Sequence, residues 1–140
     1  MREYEFRGKR KDNERWVYGY YSKLFDEITN KEEPIISYQH FEAADMSYPY
    51  PTVDTINAKV YEETVGQYTG LKDKNGVKIF EGDIVKFFDW NLEEDIITEV
   101  YYAENLLSFE LRNTFTELYN IPKYEYEKIG NIFDNQDLLK

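Results

Sequence analysis

The stretch at residues 64–88, TVGQYTGLKDKNGVKIFEGDIVKFF, constrains the fold more than any other part of the chain. Asn75-Gly76 stands between two extended segments. It predicts a hairpin closed by a type I′ turn, which needs φ > 0 at both central residues. Gly82-Asp83 predicts a second tight turn, followed by Ile84, Val85, Lys86 and Phe87 as a strand. Asp73 and Asn75 are expected to accept backbone amides inside the first turn, and Asp83 after Gly82. Gly66, Gly70, Gly76 and Gly82 all precede strands. A phosphate-cradling loop runs instead into a helix N-terminus, so these glycines read as turn formers.

The rest of the chain repeats this punctuation. Tyr4 and Phe6, then Trp16, Tyr18 and Tyr20, read as two strands joined by a polar loop at residues 8–14, in which Asn13 tolerates φ > 0 better than Glu14. Residues 31–34 read as a turn ending in Pro34, with a short strand at residues 35–38. The stretch at residues 42–54 reads as a long loop or an arm facing a partner, because Pro49 and Pro51 exclude a helix interior. Residues 53–61 return as a strand. Residues 96–102 and 106–112 form a further hairpin around residues 103–105. Residues 124–133 are a last strand interrupted by Gly130, and residues 134–137 are expected to cap one helical turn holding Leu138 and Leu139. Short strands with turn signals this closely spaced indicate an all-β chain with little helix. Residues 1–140 form one domain in two parts. Residues 1–62 are a short-stranded β subdomain, packed on a small SH3-like barrel at residues 63–140.

Composition narrows the function. The chain has 140 residues, no Cys, one His, and a formal net charge of -11. A disulfide framework, a thiolate zinc site and a Cys nucleophile are excluded. A Ser-His-Asp triad would have to use His40, and nothing in the spacing of Ser37, Glu42, Asp45 and Ser47 singles out its companions. The acidic run Asp89, Glu93, Glu94, Asp95 and Glu99 lacks the alternating ligands and central Gly of a calcium loop and reads as a solvated loop tip. No cofactor, metal or catalytic residue is expected. Wide phosphate binding is disfavoured at this charge. One basic patch remains: Arg2, Arg7, Lys9, Arg10, Lys11 and Arg15 against Glu3, Glu5, Asp12 and Glu14, a net of +2 within residues 1–15. The 18% aromatic content opposes disorder. No apolar leader opens the chain, and no stretch approaches the roughly 18 apolar residues of a membrane helix. The cytosol is the expected compartment.

The residues also resemble a known family. The run Glu63-Thr64-Val65-Gly66-Gln67-Tyr68-Thr69-Gly70-Leu71-Lys72-Asp73-Lys74-Asn75-Gly76, followed by Ile79-Phe80-Glu81-Gly82-Asp83-Ile84-Val85, is similar to the central block of the YopX family of bacteriophage and prophage proteins. The opening FRGKRKDNERWVYGYY and the closing EKIGNIFDN resemble the two ends of that family. Glu14 stands where the family usually has Gly, which predicts a longer first turn. Gln136 replaces a frequent Pro, and the loop at residues 40–55 is longer than in many relatives. The resemblance implies a mostly β fold with an SH3-like part, a phage or prophage origin, and no agreed biochemical activity. Its signature residues are Gly66, Gln67, Thr69, Gly70, Asp73, Asn75, Gly76, Gly82 and Asp83.

These readings lead to a non-enzymatic accessory protein acting through protein–protein contacts as a homo-oligomer, with itself and a host or phage protein as partners. Arg10, Lys11, Tyr48 and Tyr50 are the expected contact residues. Tyr is favoured at interfaces because it carries an apolar body and a polar tip. The alternative is a nucleic-acid-associated module, or an acidic DNA mimic that occupies a host DNA-binding protein.

Overall fold

A computed structural model of the protein describes residues 3–122 and 125–140. Tyr124, where the last strand was expected to begin, lies outside them. The chain is mostly β and antiparallel throughout, and divides into two compact units.

One unit is Glu5–Val65. Its strands β1 (Phe6–Lys9), β2 (Trp16–Asp26), β3 (Lys31–Glu42) and β4 (Thr52–Lys59) form a meander in which each strand pairs with the next. Ile35, Ile36, Ala58 and Val60 are buried. Beyond β4 the chain turns back to the end of β1. Val60 bridges Arg10, the Lys11 amide donates to the Lys59 carbonyl at 3.0 Å, and the Tyr61 amide donates to the Lys9 carbonyl at 3.0 Å. Gly8 leaves room for this closure, since a Cβ there would stand 3.0 Å from the Val60 side chain. Thr64 fastens it by accepting the Lys9 amide at 2.9 Å.

The other unit contains Gly66–Lys140. A hairpin of β5 (Gly66–Lys72) and β6 (Lys78–Phe80) precedes a four-stranded sheet of β7 (Asp83–Asp89), β8 (Glu94–Ala103), β9 (Ser108–Leu111) and β10 (Tyr126–Asn131), in the order β10-β7-β8-β9. Ile79, Val85, Phe87, Val100, Leu111, Leu118, Ile121 and Tyr126 form its core. β10 is bulged between Lys128 and Gly130, where the sequence places its interruption. Among the described residues helix is limited to single 3-10 turns at Glu62–Thr64, Leu118–Asn120 and Gln136–Leu139.

Several local expectations are corrected. Residues 31–34 are not a turn but the start of β3. The reversal comes at residues 27–30, where Asp26 Oδ1 accepts the amides of Ile28 and Thr29 and Asn30 takes φ 55°. Pro34 is tolerated inside β3 because its carbonyl accepts the Val60 amide just past the end of β4; only the reciprocal bond is forgone. In the first turn Glu14, not Asn13, takes φ 60°, while Asn13 Oδ1 accepts the Arg15 amide. In the Asn75-Gly76 turn, only Gly76 is left-handed, at φ 78°, so the turn is not type I′. Asp73 closes it as a five-residue loop by accepting the amides of Asn75 and Val77 on one oxygen, both at 2.9 Å. The irregular stretch is shorter than expected, since β3 keeps Glu42 and β4 opens at Thr52. The last helical turn has no side-chain cap; Asn131 Oδ1 instead accepts the amides of Phe133 and Asp134.

Candidate interaction surface

Three of the basic residues near the N-terminus, Arg7, Arg10 and Lys11, are engaged within the fold. Arg7 is 1% exposed, and its guanidinium lies 4.7 Å from the centre of the Trp16 ring. Arg10 donates to Asp12 through Nε at 2.8 Å and to the Tyr38 hydroxyl through Nη1 at 3.0 Å. The hydrogen bond to Asp12 raises the Arg10 pKa further, and Arg10 in turn holds the Asp12 carboxyl below its ordinary range. Lys11 Nζ stands 3.1 Å from Glu33. Both basic residues expected to meet a partner therefore hold carboxylates within their own unit.

Tyr48 and Tyr50 are exposed at the tip of the β3–β4 hairpin. Asp45 gives this tip its shape. Its Oδ1 accepts the amides of Ser47 and Tyr48, both at 2.7 Å, and its own amide donates to the Tyr48 carbonyl. The tip is a local Asx-type fold holding two aromatic rings in water.

Behind the tip lies a feature the sequence reading did not isolate. Paired residues in a sheet share a face, and alternate residues along a strand do so too. Tyr20 pairs with Ser37 and Ser37 with Asn57, Gln39 with Thr55, and Phe41 with Val53. One face of β2, β3 and β4 thus carries Tyr18, Tyr20, Gln39, Phe41, Val53 and Thr55. A groove of about 400 Å³ runs across it, lined by Tyr18, Tyr20, Ser37, Gln39 and Thr55. Tyr20 is 74% exposed and Phe41 64%. Below the groove β2 and β3 approach closely at Gly19, where a Cβ would stand 2.1 Å from the Ser37 carbonyl oxygen. Ser37 Oγ donates to Asn57 Oδ1 at 2.7 Å and ties β3 to the edge strand. The alternation of Trp16, Tyr18 and Tyr20 marks a strand but does not say which of its faces meets water.

The signature residues build scaffold in the other unit. A Cβ on Gly66 would stand 2.6 Å from the Glu81 carbonyl oxygen, and the Gln67 carbonyl accepts the Glu81 amide at 3.0 Å. Thr69 Oγ1 donates to the Ile79 carbonyl at 2.8 Å beside Gly70, whose φ is 88°. Asp73 Oδ2 accepts the Lys128 amide at 3.0 Å, linking the loop to β10. Asp83 is fully buried after Gly82; it accepts the Phe80 amide at 2.8 Å and lies 3.1 Å from Lys128 Nζ. A smaller hollow of about 220 Å³ in this unit is bordered by Phe88 and Trp90, whose rings meet edge-on at 4.9 Å.

The acidic run is dispersed. Asp89 turns back on its own loop and accepts the amides of Asn91 and Leu92 and the Thr116 hydroxyl, which hold its carboxyl below the ordinary range. Asp95 pairs with Lys86 and Glu99 with Arg112. His40 is exposed, 3.6 Å from Glu42. Among the described residues no group of three or more His, Cys, Asp or Glu is placed to hold a metal ion, and no helix is long and apolar enough to cross a membrane.

Comparison with known proteins adds the following. The family profile described as YopX protein matches residues 5–140. The crystal structure of protein EF1440 from Enterococcus faecalis aligns over the whole of both chains with a TM-score of 0.60 and 24% identity, a likeness of fold. Two sequences of Gingipain R1 from Porphyromonas gingivalis are 35% identical over 85 residues. That match takes in 56% of this chain but only 8% and 5% of theirs.

Proposed function

The chain belongs to the YopX family, and on that premise we propose that it is a phage or prophage accessory protein that acts through protein–protein contacts, as a homo-oligomer in the bacterial cytoplasm and without catalysis. The observation that carries this reading is the aromatic face of β2, β3 and β4, where Tyr20 and Phe41 stand in water on regular strands. Rings held on a sheet lose little conformational freedom on binding, which suits them to anchor an interface. We read the unit containing β5 to β10 as an SH3-like scaffold. Direct contact with single-stranded nucleic acid draws less support, because Arg10 and Lys11 already hold Asp12 and Glu33.

Light scattering tests the reading. The wild type is expected to exceed the 16.9 kDa of a single chain, and a Tyr20→Ser/Phe41→Ser double variant to shift toward it with an unchanged melting temperature. Equal masses for the two proteins would remove the aromatic face from the account.

A further inference from the structure

The outer edge of β4 is an open backbone template. Because the Val60 amide donates to Pro34, the even-numbered residues of β4 face β3 and the odd-numbered ones face away. The Lys59 carbonyl, on the outer side, is taken by the Lys11 amide. The turn at residues 11–13 then leads the chain off, and among the described residues no strand pairs with Val53, Thr55 and Asn57 on that side. All three are exposed.

Natural edges are guarded by Lys, Pro or a bulge. Here Pro51 and Lys59 bracket the open stretch without entering it, and the register with β3 runs unbroken from Ile35↔Lys59 to Glu42↔Thr52. The edge is regular, and Asp54 is its single charge.

We infer that this edge pairs with the same edge of a second copy of the chain, antiparallel, about a two-fold axis through Thr55. This rests on the self-association proposed above and names the element that performs it. The register follows from the hydrogen-bonding side. Centring on Thr55 sets Thr55 opposite Thr55 and Val53 opposite Asn57. All outward amides and carbonyls of the three residues are then used, about six hydrogen bonds in all. Any other centre uses fewer. Asp54 then lies opposite Ile56, and no like charges are directly opposed.

The same axis supplies continuity. Val53, Thr55 and Asn57 lie on the face that carries Tyr20 and Phe41, so a two-fold perpendicular to the sheet sets the two aromatic grooves side by side. At one hydrogen bond per roughly 100–200 Å², six bonds correspond to about 600–1,200 Å², the size of a weak, reversible interface rather than a permanent one. The pair is accordingly concentration-dependent.

The native chain has no Cys, which makes the test clean. Opposed Cα atoms in a hydrogen-bonded antiparallel pair lie about 5.5 Å apart, within disulfide range. Thr55→Cys is therefore expected to form a covalent dimer under mild oxidation, and Asn57→Cys, off the axis, is not. Thr55→Pro, which removes an outward amide from an edge strand that otherwise tolerates proline, is expected to sediment as a monomer at concentrations where the wild type dimerises. Oligomers that survive Thr55→Pro, or Asn57→Cys crosslinking as readily as Thr55→Cys, would overturn the edge pairing while leaving self-association in place. A wild type monomeric at every concentration would overturn both.

Discussion

Asp73 shows how much one side chain can organise. It shapes the β5–β6 loop through the amides of Asn75 and Val77 and reaches β10 through the Lys128 amide. Asp73→Ala is expected to cost about 2–4 kcal/mol, because three amides lose a charged acceptor; urea unfolding measures it. Tyr126 contributes at the alkaline end. Burial, with Asp73 and Tyr68 nearby, pushes its phenol up, and its hydroxyl donates to the Lys72 carbonyl at 2.9 Å. A tyrosine with a raised folded pKa contributes full stability below the unfolded pKa, near 10, and loses it as pH rises toward the folded value. Thermal melts should therefore fall above about pH 10, and Tyr126→Phe should flatten that fall while costing about 1 kcal/mol at neutral pH. Asp89 acts at the other end. Its lowered pKa means that its contribution is present above the ordinary carboxylate range and lost as pH falls through the folded value. Asp89→Asn should melt lower than the wild type at neutral pH, with the difference closing in acid.

At the scale of elements, the two kinds of glycine separate. Gly76 has φ 78° and open space where a Cβ would go, so Gly76→Ala should cost about 1 kcal/mol from backbone strain alone. Gly19 is on a strand with its Cβ position 2.1 Å from a backbone oxygen, so Gly19→Ala must part β2 from β3 and should cost more than Gly76→Ala. Chemical denaturation of the two variants ranks them. These glycines also mark what the sequence could tell. Glycine at a turn is legible because Asn-Gly and Gly-Asp have local conformational reasons to be there. The close approach at Gly19 depends on a strand 18 residues away in sequence, and no local pattern carries it. The first two turns depend instead on a local competition between neighbouring side chains. Glu14 adopts φ 60° although Asn13 stands beside it, and the β2–β3 reversal falls at residues 27–30 because Asp26 gathers two amides, overriding the Pro34 signal.

For the whole molecule, mostly antiparallel β structure was legible from turn spacing and aromatic alternation, and the family from the block at residues 63–85. The candidate surface was only half legible. Tyr48 and Tyr50 were marked by their prolines, and both are exposed. Tyr18, Tyr20, Phe41 and Val53 were hidden because alternation reads alike whether the apolar face meets a core or water. The basic patch looked open in one dimension, but the fold buries Arg7 beside Trp16 and brings Glu33 to Lys11. A charge of -11 opposes self-association through long-range repulsion, so added salt should strengthen an oligomer held by backbone bonds and aromatic contacts. Sedimentation equilibrium of the wild-type chain, over about three decades of concentration at low and high salt, tests the central claim most directly. The account predicts a mass that rises from 16.9 kDa with concentration, more steeply at high salt. A mass fixed at the single-chain value under every condition would contradict it.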